Sequence, residues 1–202
     1  MAVSTERPGS ECATREERRA AGKAARAALP LEALADPGPD PSTRDAVGII
    51  AAQNDNRVPW LVPVRHGRML RSPFAFFRGT AALMAHDLAP HPRSGLDVQL
   101  CGDAHLSNFG LFGSPERALV FDLNDFDETL PGPFEWDVKR LVASMVVAAR
   151  DLGLKPKRQR AIARATAERY RTAMREFAAL SALEAWYASL EVDVALRSVT
   201  DT

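Results

Sequence analysis

The spacing of apolar and polar residues divides the chain into segments of different period. From Trp136, the positions Val138, Leu141, Val142, Met145, Val146 and Ala149 recur at helical intervals until Gly153, which predicts an amphipathic helix over 136–152. A second long helix is predicted over 157–180 on Ile162, Thr166, Tyr170, Met174 and Phe177, and a third piece carries Leu183, Trp186, Tyr187 and Leu190. Ser72-Pro73 sets a capping hydroxyl before a proline at the first helical position, and Phe76, Thr80, Leu83, Met84 and Leu88 extend the period into a helix near 73–89. Strand periodicity is confined to the middle of the chain. Leu96 to Leu100 alternates as one strand, and 109–112 with 118–123 read as two more, joined through Gly113 to Arg117 in a hairpin around 109–124.

The N-terminal third reads differently. Residues 1–35 are rich in Ala, Arg and Glu, and a helix from about Thr14 to Leu29 has an apolar face made almost wholly of alanine. The proline-rich run from Asp36 to Pro41 ends it, so 1–41 is expected to be a flexible arm and linker. The folded domain is expected over 42–202, opening with Ser42 or Thr43 as cap of a short helix bearing Val47, Ile50 and Ala51. Over 58–70, Pro59, Pro63 and Gly67 interrupt the apolar positions, which predicts an irregular extended segment carrying the basic group Arg65, His66 and Arg68. The expected fold class is α/β in the α+β sense, mostly helical, with a short β-hairpin packed on helices.

Composition narrows the function classes. With 46% hydrophobic residues the chain suits a globular protein rather than a fibrous or disordered one. The 26 basic and 26 acidic residues cancel, which argues against general nucleic-acid binding. No apolar run is long enough for a membrane span, and no signal-peptide core opens the chain, so no membrane partner is expected. Cys12 and Cys101 stand in unlike contexts and suggest neither a disulfide nor a zinc site; the expected compartment is a reducing cytoplasm.

The candidate chemistry lies between Asp103 and Glu128, where Asp103, His105, Asn108, Asp122, Asn124, Asp125 and Asp127 crowd a loop and a hairpin. Polar clusters away from a solvated helix are costly unless paired or bound to a cation. Hard cations take carboxylate and amide oxygens, and magnesium uses one or two carboxylates with water and phosphate. Asn108 and Asp125 are the expected ligands, with Asp127 a further candidate and Asp122 an alternative. Asp103, on the same loop, is placed as a base for an incoming hydroxyl. His105 is expected to hold neighbouring groups rather than metal, since no second histidine sits at ligand spacing. Arg78, beside Gly79, is a phosphate-binding candidate, with Arg65 and Arg68 behind it. Phe74, Phe76, Phe77 and Trp136 are read as core, and Cys101 as a small buried hydrophobe rather than a nucleophile.

Gly102-Asp103-Ala104-His105-Leu106-Ser107-Asn108 resembles the Gly-Asp-x-His-x-x-Asn catalytic loop of the aminoglycoside and choline phosphotransferase branch of kinase-like enzymes. Asp125-Phe126 resembles the metal-binding Asp-Phe step of that branch, and Asp137 falls where those enzymes carry an aspartate that braces the catalytic loop from a helix start. The stretch from about Arg57 to Arg150 is more closely similar to an uncharacterised bacterial family, domain of unknown function 2252. It includes 72–79, 101–110 and Asn124 to Asp137 with Lys139-Arg140-Leu141. The resemblance implies a partial protein-kinase-like fold and magnesium-dependent phosphoryl transfer from ATP to a hydroxyl of a small molecule, whose identity is open. It also implies a departure: upstream of Asp103 the chain has no Gly-x-Gly-x-x-Gly and only Lys23 as a lysine. Longer family members carry a Gly-x-Gly segment and a strand lysine further on, so the chain is expected to be a truncated member with no appreciable turnover by itself. The alternative is a non-catalytic remnant or regulatory domain that keeps the loop for structure and binds a partner. Metal-dependent hydrolysis, with one histidine available, is a weaker third reading.

Overall fold

A computed structural model describes residues 13–36, 38 and 40–188. Cys12, Pro37, Pro39 and Leu190 fall outside the described residues. The class is α+β and mostly helical, with two small antiparallel sheets. Among the described residues no helix is long and apolar enough to cross a membrane.

The first helix, α1 (Arg15–Ala28), starts where Thr14 accepts the Glu17 N–H and the Glu17 carboxylate accepts the Thr14 N–H in return. It buries none of its residues. The next helix, α2 (Ala46–Ala52), is capped by Asp45, which accepts the Gly48 N–H at 2.8 Å. Ser42 and Thr43, expected as caps, instead lie inside a single 3-10 turn (Pro41–Thr43) capped by Asp40. An aspartate immediately before the helix outcompetes hydroxyls two or three residues further back.

The segment expected to be irregular is helical. A 3-10 turn (Pro59–Leu61) leads directly into α3 (Val62–Met69). Both prolines occupy first-turn positions, where the missing N–H would have had no helical partner, so they start helices rather than break one. After α3, Ser72 caps α4 (Pro73–Arg78) by accepting the Ala75 N–H. Asp151, at the far end of a later helix, accepts the Phe74 N–H at 3.0 Å.

The single helix expected over 73–89 is two helices, α4 and α5 (Ala81–Leu88), separated at Gly79-Thr80. The break releases carbonyls that a continuous helix would consume. The Phe77 carbonyl accepts from Arg140 Nη2 at 2.7 Å and from the Thr80 hydroxyl at 2.9 Å, and the Gly79 carbonyl accepts from Arg65 Nη2 at 2.7 Å. Thr80, Leu83 and Leu88 are buried, as their spacing predicts.

Strand β1 (Asp97–Leu100) delivers the chain into the loop 101–108, and β2 (Phe109–Gly113) with β3 (Leu119–Leu123) forms the predicted hairpin. A strand that the pattern concealed, β4 (Leu130–Pro133), pairs antiparallel with β1 in the register Leu100↔Leu130 and Asp97↔Pro133. Pro131 and Pro133 are two residues apart, and the Phe134 N–H donates to the Leu96 carbonyl. The ladder therefore uses the even-numbered N–H groups and leaves the proline nitrogens on the free edge.

Two long helices follow, α6 (Phe134–Asp151) and α7 (Pro156–Phe177), packed against each other with Phe134 stacked on Tyr170. A short α8 (Ala182–Tyr187) closes the described chain. On α6 Ala149 is buried as expected, but Val138, Leu141, Val142, Met145 and Val146 are only half-buried, while Glu135, Arg140 and Ser144 are buried. Asp137, Arg140 and Ser144, at i, i+3 and i+7, share the face turned to the loop 101–108.

Arg140 is the hub of that face. Its Nε and Nη2 both reach Asp103 Oδ1 at 2.7 Å, its Nη2 also reaches the Phe77 carbonyl, and its guanidinium lies 4.0 Å from the Phe77 ring centre. Removing one partner of a buried ion pair leaves an unpaired charge and costs about 3–5 kcal/mol, whereas replacing both by apolar side chains is often neutral. Arg140→Met should therefore lower unfolding free energy by about that amount in urea titration. The Arg140→Met/Asp103→Leu double variant should recover most of the loss; no recovery would show that the pair is not what Arg140 contributes.

Candidate functional site

The loop from Cys101 to Asn108 is built on backbone contacts that few residues can make. Gly102 has φ +86° and sits against the Glu128 backbone, where an added Cβ would come within 2.1 Å of the carbonyl oxygen. Glycine is required there on both counts. The carboxylate of Asp137 accepts the Cys101 N–H at 2.7 Å and the Gly102 N–H at 3.1 Å, bracing the loop from the first turn of α6. Two turns further on, the Ser144 hydroxyl accepts the Leu106 N–H at 3.0 Å and donates to the Leu141 carbonyl. Burial raises the Asp137 carboxyl above its ordinary range, against the lowering effect of the two N–H bonds.

Asp103, His105 and Asn108 are all buried. Asp103 gives Oδ1 to Arg140, and its Oδ2 lies 3.6 Å from His105 Nε2. The His105 ring is otherwise unpartnered at Nδ1. Burial lowers its pKa, with Asp103 opposing and Arg140 and Arg78 reinforcing the shift. Asn108 donates from Nδ2 to the Asp103 carbonyl at 2.7 Å, which leaves Oδ1 as its acceptor. Its own carbonyl accepts the Asn124 N–H at 3.0 Å, so the hairpin return runs beside it.

The return carries Asp125, Asp127 and Glu128, all exposed. Asp125 accepts the Asp127 N–H, and its carbonyl accepts the Cys101 thiol at 3.4 Å. Cys101 itself is buried, and its thiol is pushed up to about 11, chiefly by burial and also by the surrounding carboxylates. It is therefore a poor nucleophile. The Glu128 carboxyl, exposed yet partly screened from water by its neighbours, is raised by that partial desolvation and by Asp103, Asp125 and Asp127.

A cavity of about 960 Å³ brings these groups together: Asp103, His105, Asn108, Asp125, Asp127 and Glu128 line it. Arg78 lines it as well, whereas Asp122 does not. Among the described residues no three His, Cys, Asp or Glu side chains form a self-sufficient metal cluster. The oxygen set still suits magnesium, which needs few protein ligands when phosphate and water complete its shell.

Residues 57–202 match the model of a bacterial family described as an uncharacterized protein conserved in bacteria, domain of unknown function 2252. The chain belongs to this family. No curated protein and no solved structure matches it.

Several site residues escaped the sequence reading. Arg140 and Ser144 look like polar positions on a solvated face, yet both are buried against the loop. Their signal is the i, i+3, i+7 spacing from Asp137. Thr129 was also passed over; its hydroxyl donates to the Leu100 carbonyl and accepts from Gln99 Nε2, each at 2.7 Å. The aromatic residues read as core are not buried: Phe76 is exposed, Phe77 underlies Arg140, and Trp136 lines the cavity opposite its contact with Arg93. Arg140 and Arg93 lie over the Phe77 and Trp136 rings, so those two faces meet guanidiniums rather than apolar side chains.

Two outcomes follow from the loop. Gly102→Ala should destabilise the fold by at least about 1–2 kcal/mol from the backbone conformation alone, more once the Glu128 carbonyl is displaced. Calorimetric Tm readings on both proteins check it. The second concerns His105. Because its folded pKa is depressed, below the ordinary value of about 6.5 the unfolded chain takes up a proton that the folded chain resists. Stability conferred by His105 is thus full above that value and declines as pH falls through it. Asp137 and Glu128, with raised values, act in the opposite sense in the carboxylate range. The loss between pH 7.5 and 5.5 should be smaller in His105→Gln than in the parent; equal losses would contradict the depressed pKa.

Proposed function

We propose that this protein catalyses, or descends from enzymes that catalyse, magnesium-dependent transfer of the ATP γ-phosphoryl group to a hydroxyl of a small molecule in the bacterial cytoplasm. The observation that carries the reading is the shared cavity, which Asp103, Asn108 and Asp125 line together; Arg140 takes Asp103 Oδ1, and Oδ2 has only His105 Nε2 near it, at 3.6 Å.

The division of labour follows from the bonding. Arg140 fixes Asp103 through Oδ1, so Oδ2 is the atom left to receive a proton from an acceptor hydroxyl. That hydroxyl oxygen then forms the new bond to the γ-phosphorus as the bond to the β-γ bridging oxygen breaks, and ADP leaves. Asn108 and Asp125 would hold magnesium, with Asp127 as an additional oxygen. When bound, the ion would offset charge on the phosphates. Asp137 keeps Cys101 and Gly102 in place, and His105 packs against Asp103. Arg78 is positioned to meet a phosphate.

One observation favours a second reading, in which the loop is kept as structure. The Asp103 carboxylate is half committed to a buried ion pair that ties the loop 101–108 to α6 and α4, a use that requires no chemistry.

The expected turnover is small, because no Gly-rich loop or strand lysine precedes Asp103. Coupled ADP-release assays with ATP and a panel of hydroxyl acceptors should show release that requires magnesium, and Asp103→Asn should lower it about 10²-fold or more. Asp125→Asn should raise the magnesium concentration needed. Release indifferent to both substitutions would overturn the assignment, and no release with an intact fold would favour the structural reading.

A further inference from the structure

Between Asp55 and Asp87 the sequence holds no acidic residue, yet it carries Arg57, Arg65, Arg68, Arg71 and Arg78. In a chain of zero net charge this is a local excess of five positive charges. Helical folding of 62–69 and 73–78, where an extended segment and a longer helix were expected, gathers these side chains. All five line the 960 Å³ cavity that also holds the acidic loop.

None of the five forms an ion pair among the described residues, whose ion pairs are Arg44 with Asp87, His105 and Arg140 with Asp103, and Arg169 with Glu176. Arg65 is the most constrained. Its Nη2 donates to Gln53 Oε1 at 3.0 Å and to the Gly79 carbonyl at 2.7 Å, which fixes the guanidinium plane. Its Nη1 is buried and has no hydrogen-bond partner. Burying a charged donor without an acceptor is costly, so this cavity-lining guanidinium gains from an anion held close to it.

We propose that the arginine-lined wall of this cavity binds the phosphate chain of a polyphosphorylated ligand, with Arg65 as its fixed anchor and Arg57, Arg68, Arg71 and Arg78 around it. Guanidinium forks match phosphate oxygens in pairs, and each such charged bond is stronger than a neutral one. A single phosphate carries too little charge to offset five guanidiniums; a chain of two or three carries more and offers more oxygens. The cavity volume lies in the range of small-molecule sites, about 300–1,000 Å³. A concave site of that size accommodates a compact polyanion better than a nucleic-acid backbone. Burial of Arg65 and repulsion from Arg57 both weaken its hold on its proton, a strain that an anion would relieve.

The inference deepens the phosphotransfer reading and rests on it for the identity of the ligand as the phosphate donor; anion binding itself requires neither Asp103 nor magnesium. The test is isothermal calorimetry of the full chain with inorganic tripolyphosphate and with orthophosphate, free of metal and at low salt. Tripolyphosphate should bind one to one and orthophosphate at least about tenfold more weakly. Arg68→Gln/Arg71→Gln changes two exposed side chains without hydrogen bonds and should fold normally while weakening tripolyphosphate binding about tenfold or more. Arg65→Gln should weaken it comparably, with Arg65→Lys intermediate. Arg164→Gln, on the exposed surface of α7, should have no effect. Absence of tripolyphosphate binding, equal loss in Arg164→Gln, or tight binding of a single-stranded oligonucleotide that tripolyphosphate does not displace would each overturn the proposal. Tripolyphosphate binding without ADP release would leave the subsite standing and remove the enzymatic reading; ADP release without such binding would do the reverse.

Discussion

The buried contact between Asp103 and Arg140 decides how the central part of this protein is arranged. Taking both charges out of water is unfavourable unless each finds nearly all its partners. Arg140 achieves this with Asp103 Oδ1, the Phe77 carbonyl, the Phe77 ring and the Met84 sulfur. These come from three separate segments, so satisfying one guanidinium fixes the loop 101–108, the end of α4 and the side of α5 relative to α6. Asp137 and Ser144, on the same face of α6, tie down the loop N–H groups at Cys101, Gly102 and Leu106.

That requirement reaches back into local structure. A continuous helix through Gly79 would pair the Phe77 and Gly79 carbonyls with N–H groups four residues on. Arg140 and Arg65 take them instead, and a glycine at the break makes the interruption inexpensive. The same bond that breaks the helix orients Arg65 into the cavity. Packing and the placement of a charged side chain are one event here, and Gln53 completes it from the end of α2.

Where one face of one element faces one environment, the sequence was readable: 136–152, 157–180 and the hairpin appear as α6, α7, β2 and β3 within a few residues. Family membership was also legible, because it rests on contiguous residues. The misreadings share a cause, in that the residue types carried a usual meaning that a distant partner overrode. Pro59 and Pro63 usually interrupt but here initiate; Pro131 and Pro133 usually exclude a strand but here occupy a free edge. The break at Gly79 depends on guanidiniums 14 and 63 residues away in sequence, beyond the reach of any periodicity. Arg140 could have been found, since Asp137, Arg140 and Ser144 place three polar groups on one side of a helix. The convergence of the five arginines could not, because it follows from α3 being helical.

Zero net charge conceals a segregation that bears directly on the cavity. Its acidic groups are crowded: partial desolvation and the charges of Asp103, Asp125 and Asp127 all raise the Glu128 carboxyl. Its arginines are crowded as well, and none has a carboxylate partner among the described residues. Simple mutual neutralisation would bring the two sets into contact, as it does for Asp103 and Arg140. Instead residues 57–78 hold one set and the loop 101–108 with the hairpin return holds the other, both lining a cavity of about 960 Å³. Like-charge crowding on each side is relieved by a ligand that carries both signs. A phosphate chain with a divalent cation has that property: its oxygens suit the guanidiniums and its cation suits the carboxylates. The fold thus keeps apart two charge sets that would otherwise cancel, and the space between them is where chemistry would occur.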